Sequence, residues 1–517
     1  FSLFIAFTFS VNAQNYSWAN SISSSGSSSI ADMVTDNAGN SYSVGTFTAT
    51  TSFGSTSFTS LGSYDAFVCK RSPSGAVLWA VRVGGSSQDN ARGVALDTAG
   101  SVVVVGDFAG TATFGSTNFA SNGGTDIFIM KVSSAGTITW TSRFGGTGNE
   151  NANDVCISKT NLIYLIGNFF GTATFGSTNY PSNGGSDIFT MRLGATGALL
   201  NSARFGGTSS EYGNGIALDT SSRVLFTGYY AGSLTFGSTT LTSAGSNDVY
   251  VVSAGGTFTP SWANSYGGSG DDQGNAIATD RALNVYFTGT TSGMSIGSTS
   301  LSSYGATDAF IGKVNILGTA QWAKNMGSPT FDYGRNIAIN INGDIVCSGD
   351  FTNTCQFGTT QKSSSGGRDV YVVKFNPNGN YSWVNQAGGA NDDYGFAVSL
   401  NANTVHIGGE YRGAADFGAI NVTSSTGAAT DIEAYTAAIG LCPTSFTQLN
   451  VSSCGSYTLN NQTYTSTGVY EQTLTNVSGC DSIVTLNLSV NTTGEANLLW
   501  AKSATGNGSA SNDVTTD

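Results

Sequence analysis

The chain has 517 residues, with 19 basic against 32 acidic side chains, a net charge of −13 and a charged fraction of only 10%. So few cations, nowhere clustered, exclude a binder of phosphate backbones, and nucleic acid is not an expected partner. With 30 Phe, 21 Tyr and 7 Trp the chain is equally not a disordered one, despite its 69 Gly. Only 6 Pro occur, and Gly, Ser and Thr punctuate short runs of Val, Ile, Phe and Tyr, which predicts an all-β fold.

In chain order, FSLFIAFTFSVNAQ comes first. Its apolar run Leu3 to Phe9, followed by Val11-Asn12-Ala13, fits the end of a secretory signal cleaved after Ala13; a first buried strand is the alternative. Residues 1–13 are therefore expected to be a truncated signal peptide, and the mature protein to be extracellular or on the cell surface. No other stretch could span a bilayer as a helix.

From residue 14 the text repeats. Phe-Gly or its equivalent recurs at Phe53, Phe114, Phe175, Phe236, Ile296, Phe357 and Phe417, at intervals of 60 or 61 residues. A second marker is Trp18, Trp79, Trp140, Trp262, Trp322 and Trp383, with Asn201 in the vacant place. A third is Asp65, Asp126, Asp187, Asp248, Asp308, Asp369 and Asp431. Three markers agree on seven copies. In the second copy Gly93 to Asp97, Ser101 to Phe108, Asp126 to Val132 and Thr137 to Phe144 read as four strands, with a long Phe-Gly loop between the second and third. Four-stranded antiparallel sheets repeated radially predict a seven-bladed β-propeller over residues 14–440. The seventh copy, ending in Asp431 to Ile439, lacks its tryptophan strand, and residues 15–22 are the strand that would complete it and close the ring.

The pattern FG…GxxDxFxxK…W…GG…D…GxxxxxG resembles the bacterial seven-bladed β-propeller repeat proteins of cell surfaces and secretomes. It covers roughly residues 15–440, departing at Ile296, at Asn201 and at Ala434 to Ala438, which lack the usual Lys. The resemblance implies export with binding or display, and no general ligand.

After the ring, residues 441–491 alternate and end in SIVTLNLSV, predicting a small β-sandwich-like module. It resembles the cysteine-bearing surface modules of bacteria that use type IX secretion; on that resemblance Cys454 and Cys480 would form a disulfide, two buried thiols being the alternative. Cys442 is left over. Cys69, Cys156, Cys347 and Cys355 replace apolar or small residues at unrelated phases and read as buried free thiols. Leu498 to Asp517 resemble Tyr16 to Asp36, and residues 492–517 read as the truncated start of a second propeller.

Two sets of acids invite chemistry. Asp89, Glu150, Glu211, Asp272, Asp332 and Asp393 lie five residues past the first Gly of each junction, with Ser28 in the first copy. Sevenfold geometry is expected to gather them near the axis, where a cation such as calcium, or a cationic ligand, would relieve their repulsion. The alternative is that each accepts N–H groups of its own loop. The aspartates of the third marker are expected to satisfy turn amides. His406 is the only histidine, which leaves little scope for a Ser-His-Asp site or His-based zinc, and no cofactor is implied. The tryptophans are expected to pack between blades. The expectation is a monomeric, non-catalytic propeller that binds carbohydrate or protein through a loop face. The alternatives are a structural spacer and a polysaccharide-active enzyme that uses only carboxylates. Blade-specific exposed aromatics or acids would mark a binder; uniform loops, as in the Phe-Gly segments, favour a spacer.

Overall fold

The computed structural model describes residues 14–441, 445–460, 462–475 and 481–491. The expected signal segment, the Cys454–Cys480 pairing, Cys442 and the tail 492–517 fall wholly or partly outside the described residues. The chain divides into two units, Phe1–Leu441 and Cys442–Asp517.

Every described element of the first unit is a strand or turn; five of its sheets are four-stranded and antiparallel, and the strands of the first two repeats join into one eight-stranded sheet where Gly84 and Gly85 pair with Thr113 and Ala112. The second blade is representative: Asp89–Leu96 is innermost, followed outward by Val102–Phe114, Thr117–Val132 and Ile138–Phe144. The innermost strands touch their neighbours in sequence around the axis, and Tyr394–Leu400 of the seventh blade touches Ser28–Thr35 of the first. The ring closes through the chain's own start. Tyr16–Ile22 pairs with Ile432–Gly440, running from Tyr16 opposite Ile439 to Ile22 opposite Ala434, as the outermost strand of the seventh blade.

The long Phe-Gly loop expected from sequence is instead a hairpin. In the second blade the second and third strands run on past the sheet and turn at Phe114-Gly115, where Gly115 has φ +63°. A left-handed turn of this kind suits Gly. The Phe folds inward: Phe114, Phe175, Phe236, Phe357 and Phe417 are buried, each about 5 Å from an aromatic ring of the third strand. The marker is a core residue.

The tryptophans strap blades together. Trp79 Nε1 donates to Ser134 O (2.9 Å), and Trp18, Trp140, Trp262 and Trp322 repeat this donation to the corresponding turn of the following blade. Asn201 Nδ2 does the same to Thr257 O (2.8 Å), which explains why Asn can stand in for Trp. Each indole lies on the left-handed glycine of that turn: a Cβ on Gly136 would meet the Trp79 ring at 2.9 Å. Trp383 alone has a buried Nε1 without a partner among the described residues. Its neighbour is the seventh blade, where the third and fourth strands come from opposite ends of the chain and no turn connects them. Most of these indoles are half-buried, whereas Trp383 is 4% exposed. Trp383→Ala is therefore expected to cost roughly 3–5 kcal/mol and Trp79→Ala about half that, measured by denaturant unfolding.

The thiols of Cys69, Cys347 and Cys355 are buried and Cys156 is half-buried, all four unpaired. In the second unit Ser445–Cys454 and Gly468–Thr475 flank Asp481–Asn491, the first parallel to it and the second antiparallel. A hairpin of Tyr457–Leu459 and Gln462–Tyr464 accompanies this sheet, over a core of Tyr464, Leu486, Leu488 and Val490.

Candidate functional site: the axial chamber

Each innermost strand carries a β-bulge at the same place. The register shifts between Ile30 and Asp32, between Ala91 and Gly93, and at the matching point of all seven. A bulge re-aims a side chain. Here the residues within the shifts are Ala31, Arg92, Asn153, Asn214, Asn275, Arg335 and Phe396, and all seven line one cavity of about 160 Å³. A cavity touched by every blade is the central channel of the ring. Asp32, Asp154 and Asn336, each one residue further on, reach into the same chamber.

The six junction acids do not reach it. Asp89, Glu150, Glu211, Asp272, Asp332 and Asp393 are all buried. Each accepts the backbone N–H of the residue four before it, as Glu150 Oε2 does from Gly146 N (2.9 Å) and Asp393 Oδ2 from Gly389 N (2.7 Å). Among the described residues no three His, Cys, Asp or Glu converge as a metal site. The geometry favours the turn role over the axial cation cluster, and strand alternation explains why. An acid at the start of an innermost strand shares a face with the residue two further on, such as buried Ala91 or Ala152, so it turns away from the axis.

What each acid meets instead is an aspartate of the preceding blade. Asp65 and Asp89 flank Gly84, where an added Cβ would lie 2.7 Å from the Asp65 carboxyl carbon and 3.0 Å from Asp89 Oδ2. Burial pushes Asp89 up to about 7, against the hydrogen bond from Gly85, and the Asp65 charge adds to it. Burial likewise raises Glu150 to about 8 beside Asp126, Glu211 to about 7 beside Asp187, and Asp393 to about 7 beside Asp369. Asp272 beside Asp248 and Asp332 beside Asp308 are raised too. The third-marker aspartates do accept loop amides, as Asp126 does from Asn122 N (3.2 Å), and Asp126 also pairs with Arg143 (2.9 Å). In the seventh copy the marker shifts. Glu433, not Asp431, stands opposite Tyr411 and accepts from Ser425 N (2.7 Å), while Asp431 is bound in the loop before the strand by Thr426 N (3.1 Å). A two-residue shift preserves the facing of a strand, so a longer Glu side chain can replace Asp there.

The chamber is polar and uneven, with Asn on three successive blades, Arg on two, and Ala and Phe on the others. Asp32 and Asp154 are enclosed by protein yet open onto the cavity. Burial raises Asp32 to about 7, and burial together with the Asp32 charge raises Asp154 well above the carboxylate range. Asp154 is held by Ile216 N and Val155 N (both 2.7 Å), Asp32 by Val94 N (2.9 Å). Arg335 is clamped on Asp350 (2.7 Å), which also holds Arg368 (2.8 Å), and Arg92 on Asp107. Toward the junction-loop end of the channel, Tyr394 stacks on Phe396 at 5.5 Å with planes 12° apart, and the Arg335 guanidinium lies 4.4 Å from the Tyr333 ring. At the other end a cavity of about 260 Å³ is rimmed by Ile157, Leu218 and Ile339.

Sequence reasoning missed Asp32, Asp154 and the bulge residues because it followed what repeats. The signal was the reverse: three and four residues after the junction position the copies vary, from Ala31 through Arg92 and Asn153 to Phe396, and from Asp32 and Asp154 to Gly93 and Ala276. His406 has a structural counterpart that sequence did not reveal. It is opposite Ala438, where Tyr42 is opposite Lys70, and it packs edge-on against Trp18 at 5.7 Å as Tyr42 does against Trp79. Burial lowers it to about 4, so it is a neutral packing group.

The chain is similar to known propellers. A family of β-propeller repeats (SBBP) matches residues 262–296. An uncharacterised WD repeat-containing protein of Acanthamoeba polyphaga mimivirus is 24% identical over 115 residues, 21% of this chain and 8% of that protein. Among solved structures, a gluconolactonase from Xanthomonas campestris is 11% identical with a TM-score of 0.32, covering 65% of this chain and 91% of that one. The Neurospora crassa Pan2 WD40 domain is likewise 11% identical with a TM-score of 0.32, covering 62% and 85%. The repeat match agrees with the propeller fold described above.

Proposed function

We propose that this propeller is a non-catalytic binding module of an exported, cell-surface or secreted protein, acting as a monomer on a carbohydrate or protein ligand at the junction-loop end of its channel. One observation carries the reading: the buried positions of the blades repeat all round the ring, whereas the axis-facing position holds Ala31, Arg92, three Asn, Arg335 and Phe396. A spacer has no use for Tyr212, Tyr333 and Tyr394 where other copies place Ser29 or Asn90, nor for Arg335 and Phe396 where one places Ala31. Side chains that differ by blade and face an open cavity are what recognition requires. The uniform Phe-Gly hairpins do not weigh against this, because their Phe is spent on the core. The test is a glycan and protein binding screen with the full chain and with Tyr394→Ala. Selective binding that weakens at least tenfold in the variant is expected; a wild-type chain that captures nothing would leave the spacer role.

A second reading draws on Asp32 and Asp154. Two carboxyls in one chamber, both raised chiefly by burial and Asp154 further by the Asp32 charge, are the kind of groups that acid–base cleavage of a glycosidic bond uses. Release of reducing ends from a polysaccharide, abolished in Asp154→Asn, would establish an enzyme in place of a binder.

A further inference from the structure

The axial chamber has a lining that selects among ligand chemistries. Three successive blades place a carboxamide there with its orientation fixed. Asn153 Nδ2 donates to Gly213 O (2.9 Å), Asn214 Nδ2 to Gly274 O (2.9 Å) and Asn275 Nδ2 to Gly334 O (2.8 Å). A backbone carbonyl can only accept, so in each amide the nitrogen is committed to the next blade. The Oδ1 atoms receive no protein donor among the described residues. The three free Oδ1 atoms make this part of the wall rich in acceptors, and it wants a ligand rich in donors. A phosphate would set acceptor against acceptor at these three amides. A bare metal ion is disfavoured, since no third acid joins Asp32 and Asp154 and each carboxyl oxygen already accepts a hydrogen bond. Phe396 supplies an apolar wall, and Arg335, tied by Nε to Asp350, keeps N–H groups to offer. Oriented acceptors, a few donors and an aromatic face in a chamber of about 160 Å³ match one small ring bearing several hydroxyls, and the enclosing strands leave no room for a peptide.

We infer that the axial chamber takes the terminal ring of a neutral glycan, its hydroxyls donating to Asn153, Asn214 and Asn275 and its apolar face against Phe396. The inference rests on the binding reading above and deepens it. The test uses the full chain, calorimetry, and a panel of short neutral oligomers of glucose, mannose, xylose and N-acetylglucosamine, with acidic oligomers and calcium chloride as separate arms. Ala31→Tyr fills the chamber from the first blade without touching the amide ladder, and its melting temperature is compared with wild type. One neutral oligomer is expected to bind, and Ala31→Tyr to lower its affinity at least tenfold at unchanged melting temperature. Binding that survives Ala31→Tyr, or that is confined to acidic oligomers or a protein, overturns this inference and leaves the binding reading standing. A calcium-induced rise in melting temperature that disappears in Asp154→Asn overturns it in favour of a cation site. No binding by any probe removes both.

Discussion

Deleting residues 14–22 is expected to abolish cooperative folding of the ring. Tyr16–Ile22 supplies the outer strand of the seventh blade, and its removal exposes the edge of Ile432–Gly440 along its whole paired length. Tyr16 and Ile22 are buried, and Trp18 ties the seventh blade to the turn of the first through Pro73 O (2.8 Å). At about 1.5–3 kcal/mol for each fully buried large side chain, the loss is about 5 kcal/mol before the ladder is counted. That is comparable with the whole stability of many domains. The open edge also templates strand addition from another chain. Size-exclusion chromatography of the truncated protein should therefore show aggregates, and calorimetry no sharp transition. A monomer with the parent melting temperature would show that the strand is dispensable.

The ring should also be more stable in mild acid than in mild base. Asp89, Glu211 and Asp393 are raised to about 7, Glu150 to about 8, and Asp308 and Asp332 to about 6, all chiefly by burial. In the unfolded chain such groups ionise near 4. Between those values the folded state holds more protons than the unfolded one, so stability is fully present at low pH and is lost as pH rises toward 8. Opposing groups act lower. His406, lowered to about 4, destabilises the fold as pH drops from its unfolded value near 6.5, and Asp97 and Asp431, whose carboxyls are held low by hydrogen bonds, do so in stronger acid. The melting temperature should peak near pH 5 and be lower at pH 8 by about 5–10 °C, for a free-energy change on the order of 5–10 kcal/mol spread over six junctions. Glu150→Gln isolates one junction. The amide keeps an oxygen for Gly146 N and, like the protonated acid, sets no negative charge beside Asp126. It should raise the melting temperature at pH 8 and leave it unchanged at pH 5. A flat profile from pH 5 to pH 8 would mean the pairs ionise freely.

Most of the architecture could be read from the chain because it is written seven times. Phe114 and Trp79 recur because each solves a packing problem every blade shares, and the unpaired copies at the two ends located the closure. Two kinds of feature escaped. Facing was lost where a loop and a strand could not be told apart: Asp89 opens its strand instead of preceding it, and strand parity, not proximity to the axis, decides where its carboxyl goes. The chamber lining was lost because it varies from blade to blade. Asn153, Arg335 and Phe396 occupy one repeat position, and their disagreement conceals them from any search for a conserved spacing.

Closure of the ring by its own first strand is what makes the channel. Asn20 and Thr436 face each other across the two ends of the chain. In the double variant Asn20→Cys and Thr436→Cys, mild oxidation of the folded full chain followed by peptide mass spectrometry should recover a single intrachain link between positions 20 and 436, in monomeric protein. Failure of the two positions to link within the chain, or a link only between chains, would contradict a ring completed by its own first strand.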